Sequence, residues 1–249
     1  MIRLHLTVEG DTEDQFVTSS LQGHLAARQV YADSRLVFSG KKKGKTYRGG
    51  MFAAYEKIKN DILRWMKEDK NTEARFTTMF DLYALPADFP GYREAEKLSD
   101  PYQKVSKLEE ALSLDFGDPR FIPYIQLHEF EALILSEPDK CAVFFIEYSR
   151  KLSKLIELTS KYYSPELIDE GQQTAPSKRI IQVIPEYEGS KSSAGPIIAR
   201  HIGLDTIRSK CPHFDRWLKK LEILPQIDLY GKPSNIIAPS SEIGSSPMQ

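Results

Sequence analysis

The sequence predicts an α/β protein, with a mostly parallel four-stranded sheet flanked by helices and a helical layer or subdomain after it. Three observations carry this. The N-terminus alternates with period two, Ile2, Leu4, Leu6 and Val8 against Arg3, His5 and Thr7. Strand-like and helix-like stretches then alternate four times through the first half, the pattern of strands joined by helical crossovers. The second half is helix-like, with no convincing strand. These features divide the chain into an α/β core over 1–136, a helical region over 137–233 and a tail over 234–249 whose Ser, Pro and Gly content predicts fraying.

The elements follow in order. After the first strand, Gly10-Asp11-Thr12 breaks the alternation, and Asp11 or Thr12 can cap a helix with Phe16, Val17, Leu21 and Leu25 on one face. Residues 35–38 read as a second strand. Residues 51–65 read as a helix, with Met51, Tyr55, Ile58 and Ile62 at helical spacing. Residues 75–80 form a third strand, followed by a loop with Pro86, Pro90 and Gly91. A helix over 102–114 and a strand over 121–126 complete the core. Beyond it, 137–158, 176–184, 197–209 and 213–223 are helix-like.

Bulk properties exclude several classes. At 41% hydrophobic residues the 249-residue chain can build a core of one or two domains. No apolar run approaches the roughly 18 residues of a membrane span, and MIRLHLTVEG lacks the apolar segment and cleavage site of a secretory signal. Cys141 and Cys211 are too few and too far apart for a disulfide framework, so a cytoplasmic, reducing setting is expected. With a net charge of -1, any polyanion site must be a local patch.

Such a patch stands at residues 39–46, SGKKKGKT. It resembles a phosphate loop but has one residue too few between Gly40 and Gly44, and Gly49-Gly50 separate it from the next helix. It reads instead as a basic loop for nucleic-acid phosphates or as an ordinary charged turn. Lys41, Lys42, Lys43, Lys45 and Arg48 supply charge, Tyr47 can stack on a base, and flanking glycines allow closure over a substrate.

Ligands of open parallel sheets bind beyond the carboxyl ends of the strands. Acids occur at those ends here: Glu9 in VEGDTE, with Glu13 close by, Asp81 in MFDLY, and Glu129 and Glu131 in IQLHEFEA. Carboxylates gathered in one place repel unless a cation joins them, and hard oxygen ligands suit Mg²⁺ or Mn²⁺. Such an ion can activate water against a phosphodiester. Each acid also has a structural use, as a helix-dipole partner or a turn cap. If the strand continues past Gln126, Glu129 and Glu131 share a face. If a helix starts at His128, Glu131 shares its face with His128 and Glu129 points elsewhere, so one glutamate is expected to be structural. His128 is a candidate to orient water, or a hydrogen-bonded structural histidine. HEFEA lacks the second histidine of a zinc protease motif.

VEGDTE, KTYRGG, FDLYALPADFPG (80–91), FIPYIQLHEFEALI (121–134), APSKRI (175–180), GPIIARHIGL (195–204) and CPHFDRWL (211–218) together resemble the DUF4276 family, over nearly all of the chain except the tail. The resemblance implies a Toprim/Rossmann-like version of the fold and a metal-dependent nuclease using Mg²⁺ or Mn²⁺. Its members are similar to bacterial and archaeal anti-phage effectors encoded beside an ATPase of the ABC or structural-maintenance type. By matching motifs, Glu9 is the Toprim glutamate and Asp81 the first aspartate of a D-x-D. Tyr83 stands where the second aspartate belongs, so Asp88, Glu129 or Glu131 would substitute, or one ion would bind instead of two. Glu13 is an additional ligand. Ser177, Lys178 and Arg179 also match the family, and could join a helix N-terminus and two cations to Lys45 and Arg48 in neutralising backbone phosphates of DNA or RNA. Two other functions stay open: a non-catalytic module that binds nucleic acid or nucleotide and docks on an ATPase, and an enzyme for a small phosphorylated molecule. Self-association also stays open.

Overall fold

The computed structural model describes residues 1–42, 45–51, 53–168, 171 and 173–232. Strand β1 (Ile2–Val8) leads through Gly10 into a helix of three parts: α1 (Asp11–Phe16), a π-helical turn (Val17–Leu21) and α2 (Gln22–Ala26). Strand β2 (Val30–Leu36) follows, then a hairpin of β3 (Phe38–Lys42) and β4 (Lys45–Arg48), helix α3 (Tyr55–Glu68) and strand β5 (Ala74–Asp81). Helices α4 (Tyr92–Ala95) and α5 (Pro101–Phe116) lead to the short strands β6 (Phe121–Ile122) and β7 (Ile125–Gln126). The rest is helical: α6 (Glu131–Ile134), α7 (Ser153–Thr159), α8 (Pro176–Val183), α9 (Lys191–Ile202), α10 (Leu204–Lys210) and α11 (Pro212–Glu222), with 3-10 turns between.

The main sheet runs β2-β1-β5-β6, with β7 also on β5, and every pairing in it is parallel. The α/β class, the flanking helices and the C-terminal helical region are therefore as the sequence predicts. Alternation along β1 sends its apolar side chains to one face of the sheet. Ile2, Leu4, Leu6 and Val8 pack with Phe16, Phe130, Phe214 and Leu218, so the C-terminal helices cover one face of the sheet. The Trp217 indole N–H donates to Thr77 Oγ1 at 3.0 Å across that junction. Phe76 and Phe80 of β5 pack on the other face, with Ile58 and Ile62 of α3 and Val105 and Leu108 of α5.

Local chemistry sets the helix ends. Helix α3 starts at Tyr55 rather than at residue 51, because both carboxylate oxygens of Asp88 accept the Tyr55 N–H. Asp88 is thus a helix cap. Asp100 caps α5 with Pro101 in the first turn, and Gly117 at φ 61° ends it.

Several expected elements differ. The second strand covers 30–36 rather than 35–38. It is an edge strand in which only Val30 is fully buried, so its sequence shows no clean alternation. The basic segment is an antiparallel hairpin, not an open loop; Lys43 lies outside the described residues. The expected strand 121–126 is cut in two at Pro123-Tyr124, where Pro123 has no N–H to give. Thr78 Oγ1 accepts the Tyr124 N–H at 3.0 Å and donates to the Tyr124 carbonyl at 2.9 Å in place of the ladder. Two 3-10 turns (Pro138–Val143 and Ile146–Lys151) precede α7 where one helix was expected. The expected helix 197–209 begins earlier, at Lys191, and is divided by Gly203 at φ 83°. The tail 234–249 lies outside the described residues.

Candidate functional site

The carboxyl ends of β1 and β7 lie on either side of that of β5, because both strands pair with it in parallel, and an acid ends β5 while others follow within three residues of β1 and β7. Glu9 follows β1, and its Oε2 accepts the backbone N–H of Asp81, at the end of β5, at 3.1 Å. Glu13, in the first turn of α1, is 5% exposed, and its carboxylate accepts the Gly10 N–H at 2.8 Å. Beyond β7 the chain neither continues as a strand nor starts a helix at His128. His128 takes a left-handed conformation at φ 63°, and α6 begins at Glu131.

That turn decides the question left open by the sequence. Glu129 and Glu131 both act electrostatically on Glu9 and on Asp81, so both belong to the acidic group. Each also ties down the helical layer. Glu129 Oε2 accepts the Ser177 N–H at the start of α8, at 2.9 Å. Glu131 Oε1 accepts the Tyr187 hydroxyl at 3.3 Å and lies 3.6 Å from the Lys191 ammonium of α9.

Five carboxyl groups from three segments thus share one electrostatic neighbourhood. Burial first, then Glu129 and Glu131, push the Glu9 carboxyl up to about 7, against the Asp81 N–H that favours its anion. Burial and Glu9 push Glu13 up to about 8. Asp81 is raised well above its ordinary value, by burial and then by Glu9, Glu13, Glu131 and Glu129. Glu131 is raised by burial, with Lys191 opposing.

His128 is buried beside this group, and its ring lies 5.3 Å from that of Tyr83, which is well exposed. The basic hairpin is rooted at the same place. The Gly50 N–H donates to the Glu9 carbonyl at 2.8 Å, and the Gly49 N–H to the Val37 carbonyl at 2.8 Å. Gly49 at φ 91° and Gly50 at φ 74° make the turn that brings β4 back to β1. Lys45 and Tyr47 are exposed on β4, while Lys41 and Lys42 fall on β3 opposite Thr46 and Lys45. Arg48 forks onto Asp61 at 2.7 and 3.0 Å. On α8, Lys178 lies 3.8 Å from Glu188, and Arg179 Nε donates to the Thr174 carbonyl at 3.2 Å.

Two observations bear on a divalent ion. All five groups are hard oxygen donors, and Asp81 Oδ1 is buried with no hydrogen-bond partner among the described residues, which fits an ion as its missing neighbour. Yet no group of three His, Cys, Asp or Glu side chains that could hold a metal ion stands assembled among the described residues. The donor chemistry fits; a preassembled coordination shell is not part of this conformation.

Sequence reasoning missed two participants, Lys191 and Tyr187, and named Ser177 only as a helix start for phosphates, whereas its N–H meets Glu129 and its buried Oγ has no partner among the described residues. All three lie on helices whose place over the sheet edge only the tertiary fold sets. Gly195 of α9 carried a signal, since a Cβ there would come within 3.2 Å of Thr12 Cγ2 and 3.4 Å of Phe130 Cε1.

Fold and site together define an α/β protein with an acidic cluster at the carboxyl edge of a parallel sheet and a basic hairpin rooted beside it. The chain belongs to the DUF4276 family, a domain of unknown function whose family model matches residues 8–222. No curated protein and no solved structure matches it. No helix among the described residues is long and apolar enough to cross a membrane.

Proposed function

We propose that this chain is a Toprim-like, Mg²⁺- or Mn²⁺-dependent nuclease that hydrolyses phosphodiester bonds of DNA or RNA. In this reading it is a cytoplasmic effector of anti-phage defence that works with an ATPase of the ABC or structural-maintenance type. One observation carries it: acids that end or follow three parallel strands share one neighbourhood, where burial and mutual repulsion raise Glu9, Glu13 and Asp81, and Lys191 stands beside Glu131. A fold retains such mutual repulsion where a cation relieves it.

Glu9 and Asp81, with Glu129 or Glu131, would hold the ion, and Glu13 steadies the Gly10 turn beside them. When bound, the ion supplies an activated water and neutralises charge on the phosphodiester. The chain's own part is positioning. Lys45 and its neighbours on the hairpin draw the strand to the sheet edge, and Tyr47 offers a ring to an unpaired base. Lys178 and Arg179 extend the cationic rim at α8.

The test incubates labelled DNA, tRNA and nucleotides with the protein and Mg²⁺ or Mn²⁺, with and without an ATPase of the ABC or structural-maintenance type. Glu9→Gln and Asp81→Asn are run in parallel, with circular dichroism to show that they fold. Cleavage by the wild type that falls at least a hundredfold in both variants supports the reading. An intact substrate under every condition sinks it.

A second reading, a non-catalytic scaffold that binds nucleic acid or nucleotide and docks on an ATPase, is favoured by Tyr83. That side chain is an exposed tyrosine where the motif's second aspartate belongs, and no three-ligand group stands assembled among the described residues. Tight binding without cleavage, the ATPase present, selects this reading.

A further inference from the structure

Between the hairpin and α3, three guanidinium groups converge on one carboxylate. Asp61 is 4% exposed. Arg48 grips it through both nitrogens, and Arg35 Nη2 lies 3.3 Å from Oδ2 while also donating to the Asp61 carbonyl at 3.1 Å. Arg64 Nη1 stands 3.9 Å from Oδ1. Asp61 and Glu68, the second carboxylate that acts on Arg35, balance two guanidinium groups, so one positive charge is left over and Lys57 adds another. Arg35 Nε is buried without a partner among the described residues, its guanidinium packed 4.2 Å over the Trp65 ring. Burial first, then Arg48 and Arg64, weaken the hold of Arg35 on its proton, against Asp61 and Glu68.

All of these charged groups except Arg35 and Glu68 border a cavity of about 300 Å³ lined by Phe38, Thr46 and Arg48 of the hairpin and by Lys57, Asn60, Asp61 and Arg64 of α3. Lys57, Asp61 and Arg64 are spaced i, i+4, i+7, so α3 presents them on one face. On β4 the side chains alternate: Thr46 and Arg48 line the cavity, while Lys45 and Tyr47 do not. The hairpin that forms one wall is the one anchored by Gly50 to Glu9.

We propose that this cavity is a phosphate-binding pocket, distinct from the carboxylate cluster, that grips one backbone phosphate of a nucleic-acid strand lying along the hairpin. An anion held there would supply the counter-charge that Asp61 and Glu68 cannot, and guanidinium groups are well matched to phosphate oxygens. A strand, rather than a free phosphate, is favoured because Lys45 and Tyr47 continue the contact surface next to the pocket, one for a further phosphate and one for a base. The proposal rests on the nucleic-acid part of the function proposed above and is independent of cleavage.

The test is fluorescence anisotropy of a labelled single-stranded oligonucleotide in EDTA, between 50 and 200 mM salt, so that no chemistry is read. The variants are Lys57→Ala with Arg64→Ala, both exposed on the surface, and Arg64→Lys, which keeps the charge. The double variant should bind about tenfold more weakly at low salt, with the slope of log K against log salt shallower by about one or two. Arg64→Lys should keep the wild-type slope. Unchanged affinity and slope in the double variant overturn the pocket. So does calorimetry in which inorganic phosphate binds the wild type while the oligonucleotide does not, which would make it a small-anion site. A wild type that binds the oligonucleotide through this pocket yet never cleaves leaves the proposal standing and removes only the nuclease reading.

Discussion

The carboxylate of Glu9 accepts the backbone N–H of Asp81 at 3.1 Å, so the ends of β1 and β5 are joined by a group that also repels its neighbours. The acid that would bind a cation is the acid that holds the sheet edge together. On the proposed reading, function and stability are linked at this point.

The linkage has a sign. Glu9 and Glu13 are raised from 4.5 to about 7 and about 8, so the folded chain holds their protons more tightly than the unfolded chain does. In cation-free buffer their contribution is fully present below pH 4.5 and is lost as pH rises through about 7 to 8. Melting curves in EDTA should fall from pH 5 to pH 8, and Glu9→Gln with Glu13→Gln should flatten the fall. Manganese at a hundredfold excess over its dissociation constant should add about 2.7 kcal/mol at pH 8, a rise of roughly 5–10 °C. A melting temperature indifferent to both pH and manganese contradicts the account.

Glu166 gives a stability prediction away from the site. It is fully buried, and its two oxygens accept the N–H groups of His213 and Phe214 at 2.9 Å each, capping α11 from a distant turn. Burial raises its pKa, and the two N–H groups oppose that. Glu166→Ala would orphan both donors and should cost about 2–5 kcal/mol in urea unfolding. Glu166→Gln keeps one acceptor and should cost about half as much. Equal, small losses would show that the cap contributes little.

His5, in the middle of β1, makes the sheet pH-dependent away from the acidic cluster. Its Nδ1 lies 2.6 Å from Asp33 and its Nε2 2.9 Å from Asp69. Burial pulls its pKa down, but the two aspartates outweigh that and the net direction is up from 6.5. Its contribution is thus full below pH 6.5 and disappears as pH rises through the folded-state value. The stability lost in His5→Gln should be larger at pH 5.5 than at pH 8.5, and the imidazole resonances should titrate above those of a free histidine. A larger loss at the alkaline end reverses the assignment.

The strands and acids were legible in the sequence to different degrees. Strand β1 was plain because one face of it is buried and the other is polar. Helix α3 was plain because Tyr55, Ile58 and Ile62 recur at helical spacing, though its start was placed four residues early, since the cap comes from Asp88 rather than from a neighbour in sequence. Strand β2 was misplaced because an edge strand need not alternate. Glu9, Asp81, Glu129 and Glu131 could be chosen because each follows a strand.

Strand alternation, helical spacing and the position of each acid relative to its own strand are local properties, and the sequence by itself determined them. Only the tertiary structure decided that the left-handed turn at His128 brings both glutamates to one site, that Lys191 and Ser177 arrive there on later helices, and that Arg35, Arg48 and Arg64 share Asp61. Those relationships depend on how parallel strands are ordered and on how a helical layer docks over their ends. Contacts between residues distant in sequence are set by packing of the whole chain and leave no period in the sequence to read.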